Sequence, residues 1–180
     1  IGDLVYLRAF EREDLTDEYL EWVNNTSVIA HIVTTGFPVN RDKLTEFYEA
    51  NQADNCVLFA VCDKETGTHI GNARLSNIDW IHRSAVYGRL MGHPDFRGKG
   101  YGTDALIQLL RFGFHNLGIN RIWSAAADAN AASLRSNEKV GMTIEGTMRQ
   151  AVYLKGRFRD AITLSMLRAD FDRIHGTPEK

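Results

Sequence analysis

The stretch Arg97-Gly98-Lys99-Gly100-Tyr101-Gly102-Thr103 decides how the rest of this sequence is interpreted. It stands between a strand pattern that ends at Met91 and a helical stripe of apolar residues that begins at Leu106. Glycines allow positive φ angles and let the backbone approach a ligand closely. The first turn of a helix also offers unpaired N–H groups to an anion. The stretch therefore predicts a phosphate-binding loop that leads into a helix.

This loop pattern does not identify its ligand by itself, because a glycine-rich turn before a helix is often only a tight corner. A Walker loop is excluded, since no Gly-Lys-Ser or Gly-Lys-Thr closes the segment. A dinucleotide-binding loop is disfavoured, because it belongs near the start of a βαβ unit, whereas most of the strand patterns here precede the loop. The identity of the ligand therefore has to be inferred from the sequence on either side of the loop.

The flanking patterns indicate a mixed α/β domain. Alternating β-branched, aromatic and apolar residues predict strands at 4–8, 56–61, 69–77, 84–91, 121–127, 146–154 and 159–167. Helical spacing and capping residues predict helices at 15–23 and 41–51, a third from the loop to Gly118, and a fourth from Asn130 to Gly141. We expect one domain over residues 1–174 and a frayed polar tail at 175–180.

Composition limits the class of protein. The chain has 180 residues and a formal net charge of -2, which argues against broad binding of nucleic acid or anionic lipid. The sequence shows no membrane-spanning apolar run and no signal-peptide pattern, and Cys56 and Cys62 do not form a Cys-x-x-Cys motif. We expect a cytoplasmic protein with reduced thiols, no metal site, and neither a nucleic-acid nor a membrane partner. Because the sequence begins at Ile1, we also expect residues to be missing before it.

Segments around the loop resemble the GNAT superfamily of N-acetyltransferases. The resemblance covers nearly the whole chain and is closest to the branch with ribosomal-protein alanine, spermidine and nucleotide-amino-sugar N-acetyltransferases. It implies an α/β fold whose mixed, mostly antiparallel sheet has a splayed central strand pair and flanking helices. The matching segments are Leu90-Met-Gly-His-Pro94, the Arg-x-x-Gly-x-Gly loop, Asn130-Ala-Ala-Ser133 and Glu138-Lys-Val-Gly-Met142, with Leu7-Arg8, Glu13-Asp14-Leu15, Gly156 and Asp160 towards the ends.

The same resemblance implies acetyl-CoA as a co-substrate. In the family the loop amides hold the pyrophosphate, and free backbone groups of the splayed strand pair with the pantetheine arm. A backbone N–H near Met91 or Gly92 is the expected donor to the developing oxyanion. The implied cofactor-binding residues are Met91, Gly92, His93, Arg97, Gly98, Lys99, Gly100, Tyr101, Gly102, Thr103, Asn130 and Asn137.

The usual acid–base side chains of the family are replaced in this chain. Asn137 stands where many members have a tyrosine that protonates the thiolate, and Val86 and Val152 stand where acidic residues are common. Ser133 matches a serine used in the ribosomal-protein branch and is the candidate to assist the thiolate, although a serine in the first turn of a helix can equally bond the backbone. His82 is the candidate base, although a histidine in a loop is often only a surface residue. A chain of water molecules would remove the need for a base.

Two classes of function stay open. The leading hypothesis is an acetyl-CoA-dependent N-acetyltransferase in which a primary amine of an amino sugar, a polyamine or a protein N-terminus attacks the thioester directly. The alternative is a non-catalytic acyl-CoA-binding regulatory module, which the loss of the usual catalytic side chains favours. Four arginines in the strand region favour an anionic or neutral acceptor, namely Arg74, Arg83, Arg89 and Arg149. Candidates to line its pocket are Trp80, Tyr87 and Tyr153. We also expect a homodimer that pairs through the final strands.

Overall fold

Seven strands, in the order β1-β2-β3-β4-β5-β7-β6, form the sheet of the computed structural model, which describes residues 1–29 and 37–177. All neighbouring strands are antiparallel except β4 and β5, which are parallel. The strands are β1 (Val5–Ala9), β2 (Val57–Asp63), β3 (His69–Asp79), β4 (Ser84–Met91), β5 (Arg121–Ala127), β6 (Thr143–Leu154) and β7 (Arg157–Leu167).

Helices cover both faces of this sheet, and polar side chains cap several of them. Thr16 accepts a hydrogen bond from the Tyr19 amide at the start of the first long helix, and Gly141 ends a later one in the left-handed region. The helices are α1 (Asp17–Asn24), α2 (Thr26–Ile29), α3 (Arg41–Ala50), α4 (Tyr101–Arg111), which continues as a π-helical segment (Phe112–Asn116), α5 (Ala131–Val140) and α6 (Arg168–His175).

The core has two layers, one on each face of the sheet, because successive side chains of a strand point to opposite faces. On one face, Leu106 and Leu109 of α4 and Phe171 of α6 pack on the sheet in a single buried cluster. On the other face, Trp22 of α1 and Leu44 of α3 pack in a second cluster. The predicted helical stripe after the loop is therefore confirmed as the core side of α4.

The parallel pair β4 and β5 separates part-way along its length. Its registered pairs are Ser84–Arg121, Ala85–Ile122 and Val86–Trp123. Within the described residues no register continues past that last pair, although β4 extends to Met91 and β5 to Ala127. The predicted fold, a mostly antiparallel sheet with a splayed central pair, is confirmed.

Three features near the end of the chain differ from the sequence-based expectation, the first being that β7 begins at Arg157 rather than at residue 159. Strand β6 begins at Thr143 rather than at residue 146. Helix α6 was not expected, and its last residue, His175, is the first residue of the predicted tail. The His175 Nε2 atom lies 2.8 Å from the Val140 carbonyl oxygen, so the helix is held against α5. Residues 178–180 of the tail lie outside the described residues.

Candidate functional site

The glycine loop joins β4 to α4 at the open end of the splay. Gly98 and Gly100 have φ values of 76° and 96°, and Gly100 is the N-cap of α4. Both glycines and Lys99 are exposed. Thr103 N donates to Gly100 O at 2.9 Å, whereas in the described residues the amides from 98 to 102 donate to no protein acceptor. These amides form the kind of anion-binding surface that the sequence predicted.

The half-buried Arg89 fixes the start of α4 against α5. The Arg89 guanidinium donates to the Gly102 carbonyl and, at 3.2 Å, to the Ser136 hydroxyl of α5. Ser136 Oγ lies in turn 3.0 Å from the Thr103 hydroxyl. Burial lowers the pKa of the Arg89 guanidinium. A side chain at Gly102 would place its Cβ 3.3 Å from Met91 Cγ, so glycine allows this close approach of loop and strand.

The residues between the end of β4 and Gly98 pack on one another and on α1. The Arg97 guanidinium donates to the Gly92 carbonyl at 3.2 Å, and its Nε is buried without a partner in the described residues. His93 Nδ1 accepts a hydrogen bond from the Asp95 amide at 3.4 Å. A Cβ on Gly92 would collide with the Trp22 indole. Gly92 and His93 therefore shape the loop entrance through packing.

The peptide groups of β4 face two different neighbours. Gly92 N and His93 N both donate to the Ile70 carbonyl of β3, at 3.0 and 3.2 Å. The Gly92 amide is thus already used, which corrects the expectation that it is free to stabilise an oxyanion. Because peptide groups alternate along a strand, the N–H groups of Arg89 and Met91 point to the other edge of β4, into the splay.

Tyr87 stands where the splay begins. Its hydroxyl donates to Asn137 Oδ1 of α5 at 2.5 Å and also lies near the Ser124 hydroxyl of β5. Burial raises the pKa of the Tyr87 phenol, an effect that the Arg89 charge and these hydrogen bonds partly offset. Asn137 is 0% exposed, and its Nδ2 has no partner within the described residues. The Tyr87 ring faces α5, which corrects its expected place in the acceptor pocket.

The first turn of α5 borders the same space. Asn130 is the N-cap, and its Oδ1 accepts the Ser133 amide at 3.1 Å. Ser133 is half-buried and lies one helical turn before Asn137, so the two side chains share a face of α5. The structure therefore brings Asn130, Ser133 and Asn137 to the side of the splay where α4 begins.

A comparison with protein families matches residues 5–143 to the family described as Acetyltransferase (GNAT) domain. The chain belongs to the GNAT acetyltransferase family. The predicted resemblance is confirmed, and with it the assignment as an N-acetyltransferase that uses acetyl-CoA to acetylate an amine.

Individual GNAT proteins are similar to this chain over nearly their whole length. The spermidine N(1)-acetyltransferase of Vibrio cholerae is 27% identical and covers 92% of this chain and 94% of its own. An uncharacterized prophage-derived N-acetyltransferase of Bacillus subtilis is 23% identical, over 97% of this chain and 96% of its own. The crystal structure of a Vibrio cholerae spermidine N-acetyltransferase with CoA and spermine has a TM-score of 0.85 at 25% identity, and covers 94% of this chain and 99% of that one.

The GNAT cofactor fits the residues present. Free loop amides, unpaired peptide groups between β4 and β5, and an uncompensated Arg97 Nε all offer donors to an extended, phosphate-bearing molecule. Acetyl-CoA would supply the acetyl thioester, and the protein would supply its orientation and its hydrogen-bond donors.

The predicted base is not brought to this GNAT site. His82 is exposed in the turn between β3 and β4, where its amide donates to Asp79 Oδ1 at 2.8 Å. That turn lies at the paired end of β4, away from the loop. Val152 is buried with Ala127 and Ala161 in a small apolar cluster.

The sequence pattern did not predict the polar contacts that Tyr87 and Arg89 make with α5, although it named Tyr87 as a candidate to line the acceptor pocket. Both point to the α5 side of β4, because residues two apart on a strand share a face. That alternation was a usable signal, since a tyrosine and an arginine on the core face of a strand need polar partners. Their partners Asn137 and Ser136 are far away in sequence, so the contacts themselves could not be read from the pattern.

Among residues 1–29 and 37–177, no helix is long and apolar enough to cross a membrane. The same residues contain no group of three or more histidine, cysteine, aspartate or glutamate side chains placed to hold a metal ion.

Proposed function

We propose that this GNAT enzyme acetylates the primary amine of an acceptor that also carries an anionic or neutral polar group, with a nucleotide-linked amino sugar as the preferred candidate. The observation that carries the proposal is the position of Arg74 on β3. Arg74 lies in register with Gly88 of β4, on the face of the sheet that α1 and α3 cover. Gly88 is two residues beyond the last β4–β5 pair, so this arginine borders the splay.

The neighbours of Arg74 leave its charge uncompensated. Its guanidinium lies 5.7 Å from the centre of the Phe47 ring and 3.4 Å from Asn51 Oδ1. In the part of the chain that the structure describes, no carboxylate is within ion-pair distance of it. A guanidinium binds phosphate and carboxylate groups in a bidentate way and repels polyamine cations. An acceptor that enters from this face would meet a positive charge.

The proposed site divides the remaining tasks among backbone groups. The amides of residues 98–102 bind the pyrophosphate, with Arg97, Lys99 and the helix N-terminus adding positive potential. The exposed peptide groups of β4 and the N-cap Asn130 orient the pantetheine arm. The Met91 amide, which points into the splay, is the proposed oxyanion donor, because a fixed dipole there stabilises negative charge in a site that excludes water.

An amine panel tests the acceptor class. Purified chain, acetyl-CoA and either a nucleotide-linked amino sugar, an alanine-terminated peptide or spermidine are mixed, and free thiol is measured over time. We expect the nucleotide-linked amino sugar to react fastest. Arg74→Gln should raise KM for that acceptor about tenfold or more, as expected for loss of a charged hydrogen bond. Arg83→Gln, which changes an exposed arginine at the other end of β4, is the matched control.

The rate of thiol release with spermidine is the result that can refute an anionic or neutral acceptor. Faster release of thiol with spermidine, unaffected or improved by Arg74→Gln, would refute an anionic acceptor. Spermidine is the second candidate for a specific reason: relatives named as spermidine acetyltransferases match nearly the whole chain. In addition, the Glu18 carboxylate lies 3.8 Å from His93 Nε2 at the loop end of β4 and could attract a cation.

The side-chain catalysts Ser133 and His82 stay predictions. The half-buried position of Ser133 beside the splay supports its role. The position of His82, exposed in the β3–β4 turn, gives its role no such support. Loss of thiol release in Ser133→Ala, with CoA affinity retained, would support the serine. A cytoplasmic location is likewise proposed, and the free thiols of Cys56 and Cys62 fit it.

We also propose a homodimer that forms through β6 and β7. Strand β6 is an edge of the sheet, and an edge strand offers unpaired peptide groups to a partner. Large apolar side chains on this hairpin are exposed, namely Ile144, Met148, Tyr153 and Phe158. Sedimentation equilibrium should give twice the mass of the chain, and a monomer at all concentrations would contradict the pairing.

A further inference from the structure

The place where β4 and β5 separate contains a polar group that the described chemistry has not used. Val86 and Trp123 form the last pair of the two strands, and Tyr87 and Ser124 are the residues directly beyond it. The Tyr87 hydroxyl reaches across this point to Asn137 of α5 and lies near Ser124 of β5. One phenol thus stands at the closed end of the space that opens toward the loop.

Asn137 shows that this point is built for a further polar contact. Its Oδ1 accepts the Tyr87 hydroxyl proton at 2.5 Å, whereas its Nδ2 is buried and has no partner within the described residues. Buried amide groups in folded proteins are nearly always satisfied, and an exception needs an explanation. An acceptor atom of a bound molecule at the closed end of the splay supplies one.

We propose that the Tyr87 hydroxyl, positioned by Asn137, donates the proton that the leaving thiolate needs, replacing from β4 the phenol that the family resemblance places at residue 137 of α5. This inference rests on the proposed cofactor site, because the acyl arm has to lie in the splay with its sulfur at the closed end.

The proton transfer balances as follows. The amine nitrogen forms a bond to the acetyl carbon, the carbon–sulfur bond breaks, and its electron pair leaves with the sulfur. The Tyr87 O–H donates its proton to that sulfur. The phenolate then recovers a proton from the acetylated nitrogen through solvent, which leaves an amide, a thiol and a neutral tyrosine.

The surroundings of Tyr87 suit both halves of this transfer. Burial raises the pKa of the phenol, so it carries its proton before the reaction. The nearby Arg89 charge acts in the opposite direction and stabilises the phenolate that forms. The single phenol proton is donated to Asn137 Oδ1 and passes to the sulfur when the O–H bond rotates, while Asn137 Nδ2 stays available to an acceptor atom of the bound acyl arm.

The test uses Tyr87→Phe, which keeps the buried ring and removes only the hydroxyl. We expect kcat for thiol release to fall about a hundredfold, which is the rate factor that a positioned general acid commonly contributes. The Kd for CoA measured by calorimetry should stay within about twofold. Tyr48→Phe is the matched control, since Tyr48 lies on α3 at the other face of the sheet. It should leave both quantities unchanged.

A second measurement does not depend on turnover. The pKa of the CoA thiol in the complex, followed by thiolate absorbance, should rise in Tyr87→Phe, because the thiolate loses a hydrogen-bond donor. Retained kcat, or an unchanged thiol pKa with CoA still bound, would overturn the role of Tyr87. If the wild-type chain binds no CoA, the proposed cofactor site itself fails, so the two failures can be told apart.

Discussion

Gly100 is the loop residue whose backbone conformation most strongly requires glycine. Its φ of 96° is costly for any L-residue, by about 1–2 kcal/mol, and its amide lies at the N-cap of the helix that we propose faces the cofactor phosphates. A side chain there is both strained and close to the anion. The loop thus depends on glycine for conformation and for access.

Gly100→Glu should therefore abolish CoA binding, because it adds negative charge where the pyrophosphate lies. Calorimetry with CoA measures the effect. Gly100→Ala carries the strain without the charge and should retain weakened but measurable binding. Wild-type affinity in Gly100→Glu would show that the loop does not hold the phosphates.

The site was only partly predictable at the level of residues. The loop glycines and the Asn130 cap follow from local rules of backbone geometry, so the sequence could indicate them. The bond from the Gly92 amide to Ile70 and the contact between Tyr87 and Asn137 depend on strand register and helix packing. No local pattern contains that information.

Among the elements, the bulge in β6 directs the Glu145 side chain toward two other strands. The register of β6 shifts between Ile144 and Gly146, which leaves Glu145 as the extra residue and redirects its side chain. The Glu145 carboxylate accepts two hydrogen bonds from Arg121 of β5, at 2.6 and 2.5 Å, and one from the Ser165 hydroxyl of β7 at 2.7 Å. Three neighbouring strands are joined at this point.

The Glu145 contact makes stability depend on pH. Hydrogen bonds from Arg121 and then Ser165 lower the pKa of Glu145 to about 2, from an ordinary value of 4.5. A carboxyl whose pKa is lowered on folding stabilises the protein above its unfolded pKa and loses that effect as pH falls toward the folded value. Glu145→Gln should lower the free energy of unfolding by about 0.5–1 kcal/mol at neutral pH and by nearly nothing at about pH 2.

Urea denaturation of wild type and Glu145→Gln across this pH range measures the difference. Glu46→Gln, on the exposed surface of α3, is the control and should show no such dependence. A stability difference that stays constant down to the acid end would contradict the contact.

The elements themselves were predictable where side chains repeat with a clear period. Helix α4 and its π-helical continuation repeat Leu106, Leu109, Leu110 and Phe114 on one face, and all four are fully buried. Helix α6 was missed because Phe171 is its only buried side chain and most of the others are polar or charged. The start of β6 was missed because the bulge at Glu145 interrupts the alternation.

At the scale of the whole molecule, the described residues of β4 and β5 form no registered pair beyond Val86 and Trp123, so the sheet has a gap there. A ligand that binds only the folded state stabilises it, by about 2.7 kcal/mol at a hundred times its Kd. CoA should raise the melting temperature in a concentration-dependent way and slow the hydrogen exchange of the Arg89 and Met91 amides. Gly100→Glu should show neither effect, and exchange unaltered by CoA in the wild type would place the ligand elsewhere.

The gap between β4 and β5 also makes the rate at which the protein is degraded depend on CoA binding. Proteases cut chains in proportion to the population that is open, and that population shrinks as the ligand occupies the folded form. Copies of this enzyme that hold CoA should then be degraded more slowly than copies that do not.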